Sequence, residues 1–224
     1  MDDVRVIKVK QSVFANNDAR ADELRRKLKA KKVFLINLMS SPGSGKTTML
    51  VSLINRLKGK LRIGVMEADM DAVVDAKTIE TKTGVKTIQL HTSGECHLDA
   101  KMTEEGVESF GVDGLDLVIL ENIGNLVCPA EFDTGATLNM TILSIPEGDD
   151  KPLKYPLMFT VSTLFVFSKM DAVSFFDFDL KKAEERILKL NKKAVFFPIS
   201  AKTGMGMDEL AAHIEKEVRA YQKA

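Results

Sequence analysis

The chain has 224 residues, 45% of them hydrophobic, with 32 Lys+Arg against 32 Asp+Glu and a formal net charge of zero. That length can bury a substantial core in one domain, and the balanced charge excludes a global field that would gather nucleic acid or an anionic membrane surface. Two cysteines make no disulfide framework, and the longest apolar runs, VFLINLM and VSTLFVF, fall far short of a bilayer span.

The N-terminus carries acidic residues and no apolar signal region, so a cytoplasmic protein is expected. Residues 11–32 (QSVFANNDARADELRRKLKAKK) are charged, with apolar positions at helical spacing, and predict the helix of an N-terminal extension over 1–32. An alternation follows. Apolar, β-branched runs at 33–39, 61–66, 86–90, 115–121, 138–145, 162–168 and 194–199 predict strands. Helix-length stretches lie between most of them, at 47–58, 71–82, 97–109, 179–191 and 207–222. Residues 146–158 (PEGDDKPLKYPLM) hold three prolines without a period and predict a loop. The expected fold is α/β of the P-loop NTPase type: a mainly parallel sheet with helices on both faces, in one domain over 33–224.

Residues 39–48 (MSSPGSGKTT) follow the first strand and open the first helix of that domain. They match the phosphate-loop pattern G-x-x-x-x-G-K-[ST] except that Ser40 replaces the first glycine. Gly43 and Gly45 let the backbone of the loop Pro42–Thr48 turn its N–H groups, those of Ser44 and Thr48 among them, toward phosphates. Lys46 places an ammonium on the β/γ oxygens, and the Thr47 hydroxyl can ligate Mg²⁺. Ser40 stands at the strand end, upstream of the tightest turn, so its substitution is tolerable.

FVFSKMD (165–171) carries S-K-x-D where many GTPases carry N-K-x-D. There the Asp171 carboxylate would accept from guanine N1–H and the 2-amino group, and Lys169 would lie along the base. Ser168 replaces the usual Asn. PISAKTG (198–204) adds an S-A-K motif, Ser200, Ala201 and Lys202, that supports a base through a backbone N–H. Together the two motifs favour GTP over ATP. For hydrolysis, Asp69 and Glu121 end predicted strands, and Asp75 follows six residues after Asp69. Such carboxylates can hold Mg²⁺ waters or orient the attacking water. Helix caps and solvated charges are the plainer reading, above all for Asp75.

Cys96 and His97 (SGECHLDA) sit at a loop-to-helix entry, and Cys128 (NLVCPAEF) lies beyond the fourth strand. A lone cysteine is ordinarily a small buried apolar residue. Two cysteines with an adjacent histidine suit Zn²⁺, Ni²⁺ or copper rather than Mg²⁺. Three ligands are too few for a closed site, which needs water or a second subunit. For His91 and His213 a core or capping role is expected.

SSPGSGKTT, GECHLDA and LENIGNLVCPAEFDTG, in this order and followed by a guanine motif, closely resemble the HypB family, the nickel-incorporation GTPases of nickel-iron hydrogenase maturation. The resemblance covers about residues 33–205. In that family a serine opens the loop. The resemblance implies a metal site at Cys96, His97 and Cys128, and Mg²⁺ and switch carboxylates at Asp69, Asp75 and Glu121. It also implies Mg²⁺-dependent GTP hydrolysis, a nucleotide- and metal-dependent homodimer holding Ni²⁺ or Zn²⁺, and delivery toward the hydrogenase large subunit alongside other maturation proteins. The chain lacks the Cys-rich and His-rich N-terminal tracts of some members, so high-affinity nickel storage is not expected. Three rivals are weighed. The urease-type nickel GTPase has a Cys-Pro-His run that is absent here. A partitioning ATPase has lysine where this chain has Ser41. The third is a zinc scaffold with a vestigial nucleotide site.

Overall fold

A computed structural model describes residues 9–69, 74–92 and 94–224. Residues 1–8 of the expected extension and 71–73 of the helix expected over 71–82 lie outside the described residues. The chain runs α1 (Val9–Ala30), β1 (Phe34–Ser40), α2 (Lys46–Leu57), β2 (Ile63–Asp69), α3 (Val74–Thr83), β3 (Thr87–His91), α4 (Ala100–Phe110) and β4 (Leu117–Glu121). It continues through α5 (Cys128–Glu131), β5 (Leu138–Ser144), α6 (Lys151–Lys154), α7 (Pro156–Val161), β6 (Leu164–Ser168), α8 (Leu180–Leu190), β7 (Val195–Pro198) and α9 (Met207–Lys223).

The strands form a seven-stranded sheet in the order β3-β2-β4-β1-β5-β6-β7, with every pairing parallel. Side chains alternate between its faces with the strand period of two. Ile36, Leu38, Leu117, Ile119, Leu164 and Val166 bury against α2 and α9, through Leu50, Leu53, Leu210 and Ile214. Leu35, Val118 and Leu120 bury instead with Leu24 and Leu28 of α1 and Val107 and Phe110 of α4. Phe165 and Phe167 meet Phe159 of α7 and Ile187 of α8 on that same second face. Both faces of the sheet are covered, as a parallel sheet requires.

One expectation needs correction. Residues 146–158 are not irregular: a 3₁₀ turn (Ile145–Glu147) leads into α6 and α7. Each of the three prolines stands in the first turn of one of these short helices. Proline has no N–H to lose there, so a residue read as a breaker acts as a starter.

The topology places the site. β4 is inserted between β2 and β1, and the chain then crosses to β5 on the other side of β1. Ligands in such sheets occupy the crevice beyond the strand carboxyl ends at this change of direction. The ends of β1, β2, β4 and β6 carry Ser40, Asp69, Glu121 and Ser168 there.

Candidate functional site

The phosphate loop explains its own odd letter. Gly43 and Gly45 have φ of 73° and 94°, in the left-handed region, and Ser40 is not among the residues with positive φ. It is the last residue of an extended strand, where a side chain costs nothing in backbone strain. That side chain is buried and works within the loop: Ser44 Oγ donates to Ser40 Oγ at 2.7 Å, and Ser40 Oγ donates to the Ser41 carbonyl at 2.9 Å. α2 begins at Lys46, immediately after Gly45, so its free N–H groups and dipole face the space the loop encloses. Lys46 and Thr47 occupy its first turn, and Lys46 Nζ lies 3.5 Å from the Ser41 carbonyl.

Beside the loop, a cavity of about 280 Å³ is lined by Gly45, Thr48, Ser168, Lys169, Asp171 and Lys202, with Ala201 also on its wall. Its parts are tied to one another. Ser168 Oγ donates to the Ser44 carbonyl at 2.7 Å, so the residue in place of Asn still joins the base motif to the phosphate loop. Lys169, at φ 62°, reaches across to the Gly43 carbonyl at 2.7 Å. Ser200, the first residue of S-A-K, donates from Oγ to Asp171 Oδ1 at 2.7 Å. That hydrogen bond is the main cause holding the Asp171 carboxyl below its ordinary range, which keeps it an acceptor. A carboxylate fixed in the wall of this cavity suits a base that presents two adjacent donors.

On the loop's other side a second cavity of about 280 Å³ is lined by Pro42, Gly43, Lys46, Asp69, Asp75, Glu121 and a residue that the sequence reading missed, Glu67. The register sets Glu67 directly opposite Glu121, and both are 2% exposed. Burial first, then the charges of Glu121, Asp69 and Asp75, push the Glu67 carboxyl up to about 8. Burial likewise lifts Glu121 to about 7, with Lys46 opposing and Asp75 and Asp69 adding. Glu67 stands on the side of β2 that carries Ile63 and Val65 toward α2, and no motif along the chain marks it. Glu67 Oε2 and Glu121 Oε2 are buried without a hydrogen-bond partner among the described residues. Orphaned carboxylate oxygens lining one cavity with Lys46, Asp69 and Asp75 fit the waters of a hydrated divalent cation.

At the third region, the Cys128 thiol shares a hydrogen bond with Cys96 and is the first cause, ahead of burial, raising the Cys96 thiol above its ordinary value. Both cysteines are half-buried. His97 Nδ1 lies 3.9 Å from Cys96 Sγ, while the His97 ring stacks on Phe132 with centroids 3.9 Å apart. Among the described residues, no three His, Cys, Asp or Glu side chains converge in a geometry that could hold a metal ion. His213 packs against Phe197, and His91 lines a separate surface cavity.

The segment from Glu121 to Cys128 joins these regions. Its start is fixed: Asn122 donates its backbone N–H to Leu38 and its side-chain amide to Asn37 Oδ1, at 2.9 and 3.0 Å. At Gly124 a Cβ would meet the Pro42 backbone nitrogen at 3.1 Å, so the segment lies against the phosphate loop, and a side chain there would force one of them to give by a few tenths of an ångström. Asn125 then reaches the Cys96 carbonyl at 3.5 Å.

An all-parallel sheet with a glycine-turned loop feeding a helix N-terminus defines a P-loop nucleotide-binding protein. Residues 34–198 match the family described as CobW/HypB/UreG, nucleotide-binding domain. The chain is 41% identical over 215 residues to the hydrogenase maturation factor HypB of Rhizobium leguminosarum bv. viciae, covering 96% of this chain and 72% of that protein. It is 40% identical to the hydrogenase/urease maturation factor HypB of Helicobacter hepaticus, covering 96% of this chain and 90% of that one. The crystal structure of HypB from Helicobacter pylori in complex with nickel superposes with a TM-score of 0.85 at 36% identity, over 92% of this chain and 96% of that one. The chain belongs to the HypB family of hydrogenase maturation factors.

Proposed function

We propose that the chain is a Mg²⁺-dependent GTPase that carries nickel to a hydrogenase precursor during nickel-iron hydrogenase maturation. The observation that carries the reading is the fixed Asp171 carboxylate, held by Ser200 in a cavity that opens onto the phosphate loop. It supports guanine, and the family supports the client. α1 is then an extension ahead of a GTPase domain over 33–224. Lys46 neutralises the β/γ-phosphates, Thr47 and Glu121 with Asp69 hold Mg²⁺, and Asp75 lies at the γ-phosphate end. The cation supplies charge neutralisation there.

Cys96, His97 and Cys128 take the cargo ion, Ni²⁺ or in its place Zn²⁺. A homodimer forms the complete site, because two sets meeting across a two-fold axis supply the ligands that one set lacks. Hydrolysis moves the Glu121–Cys128 segment and releases the ion toward the hydrogenase large subunit with other maturation proteins. The place of action is the cytoplasm; among the described residues no helix is long and apolar enough to cross a membrane. A second client, urease, has one specific support: the Helicobacter hepaticus relative is named for both enzymes.

The test is nucleotide-dependent nickel binding. Ni²⁺ titrations of the GTP-, GDP- and nucleotide-free protein, with dimerisation followed by native mass spectrometry, should give different affinities in the three states. Equal affinities would reduce the cysteines to structural residues.

A further inference from the structure

Glu67 is absent from every motif that marks this site, and its placement is costly. It lies in the middle of β2, between Gln89 of β3 and Glu121 of β4 in register, at 2% exposure. Its Oε2 and that of Glu121 are buried without a hydrogen-bond partner among the described residues, and both residues line the cavity beside Lys46. A carboxylate kept only for packing would be satisfied by the protein, since an unmet buried acceptor costs roughly 1–3 kcal/mol or more. What both oxygens lack is a donor arriving from the cavity.

The charges around that cavity say what kind of donor. Lys46 faces Glu67, Asp69, Asp75 and Glu121, and a γ-phosphate entering beside Gly43 adds more negative charge. A divalent cation balances such a set. Yet no three of the carboxylates converge closely enough to coordinate one directly. Mg²⁺ resolves this, because it keeps several of its waters and takes only one or two carboxylates besides the phosphates. We propose that Glu67 is a positioning residue of the nucleotide site, accepting hydrogen bonds from waters of the bound divalent cation from its place opposite Glu121. This rests on reading the site as that of a Mg²⁺-dependent GTPase.

The experiment uses the full chain with Glu67→Gln, which keeps size and removes charge, and Glu67→Asp, which keeps charge and withdraws it by one methylene. Mn²⁺ binding to the GDP complex is followed by electron paramagnetic resonance, GDP binding is measured in EDTA, and GTP turnover is measured against Mg²⁺ concentration. Glu67→Gln should lower Mn²⁺ affinity about 10–100-fold, leave metal-free GDP affinity unchanged, and reduce kcat with KM for GTP flat. Glu67→Asp should fall between it and wild type, and tests the proposal alone if Glu67→Gln does not fold. Wild-type Mn²⁺ affinity in both folded variants, or in Glu67→Asp alone when only that variant folds, overturns the proposal. So does a wild-type GDP complex that binds no Mn²⁺. A wild-type complex that binds Mn²⁺ but never hydrolyses GTP refutes the GTPase reading and leaves the cation role of Glu67 standing.

Discussion

The base cavity and the cysteine pair are organised to opposite degrees. Around the base, Ser168, Lys169 and Asp171 are each held by a partner on another loop, at 2.7 Å in every case. Around the thiols, two cysteines share one hydrogen bond, and His97, next to Cys96 in the chain, is stacked on Phe132. Preorganisation lowers the ordering cost of binding, so one copy of the chain is equipped to bind nucleotide alone. The thiol region is equipped to bind metal only once something completes it. On the proposed function, nucleotide is then the first ligand, and metal the one that responds.

The largest effects should come from the preorganised side. Asp171→Asn exchanges an acceptor for an amide, and the discrimination for guanine over other bases should drop by roughly 10⁴-fold, with xanthine nucleotides gaining. Parallel Kd measurements for GTP, XTP and ATP check this; a wild-type protein that binds ATP and GTP equally removes the guanine reading altogether. Lys46→Ala takes away the ammonium facing the phosphates and should cost about 10²–10³-fold in turnover. Steady-state hydrolysis assays decide that one, and an unchanged rate ends the phosphate-loop assignment.

Next in size is a pH effect confined to the carboxylates behind the loop. Glu67 and Glu121 are raised from the ordinary 4.5 to about 8 and about 7. Their folded values exceed the unfolded ones, so the neutral forms are favoured in the native protein. Nucleotide-free protein should then keep the full contribution of these two groups below pH 4.5, and lose it as pH rises from there to 8, at about 1.4 kcal/mol per unit of separation. Urea unfolding across this window should show the decline, and Glu67→Gln should flatten it. A slope of the opposite sign would mean the pair is compensated by contacts other than Lys46.

Cys128→Ala sharpens the contrast from the other side. It should weaken Ni²⁺ binding and metal-dependent dimerisation while GTP affinity of the monomer stays put. In the wild-type protein the same linkage should run both ways, with nickel changing GTP affinity by the factor by which GTP changes nickel affinity, about 5–150-fold. Calorimetric titration in both orders measures the two factors, and unequal values would mean that a third process, such as dimer exchange, intervenes.

The sheet was legible because most of its strands are apolar, β-branched runs separated by helix-length stretches, and the phosphate loop because its glycines are needed at positive φ. Glu67 was not, because short motifs are read along the chain and this residue matters across it: its neighbour is Glu121 on another strand. The short helices α6 and α7 were missed because proline was read as an ending rather than a first turn. Ser40 and Ser168, which differ from the common patterns, became intelligible only as hydrogen-bond partners of Ser44, a relation that no spacing rule encodes.

Ser168 carries the smallest prediction and the finest division of labour. Its hydroxyl is buried and donates to the Ser44 carbonyl at 2.7 Å, while Asp171 is held independently by Ser200. Ser168→Ala should therefore loosen the joint between base motif and phosphate loop without touching the group that reads the base. A lost neutral hydrogen bond contributes about 1 kcal/mol, so GTP and GDP should each bind roughly fivefold more weakly. The ratio of GTP to ATP affinity should be unchanged, and nickel affinity in the nucleotide-free protein should be unchanged too. Fluorescent-nucleotide titrations with both bases, beside a nickel titration, test all three at once. If the ratio collapses as it should for Asp171→Asn, then Ser168 is part of the base reader rather than the strut behind it, and the two hydrogen bonds act as one unit.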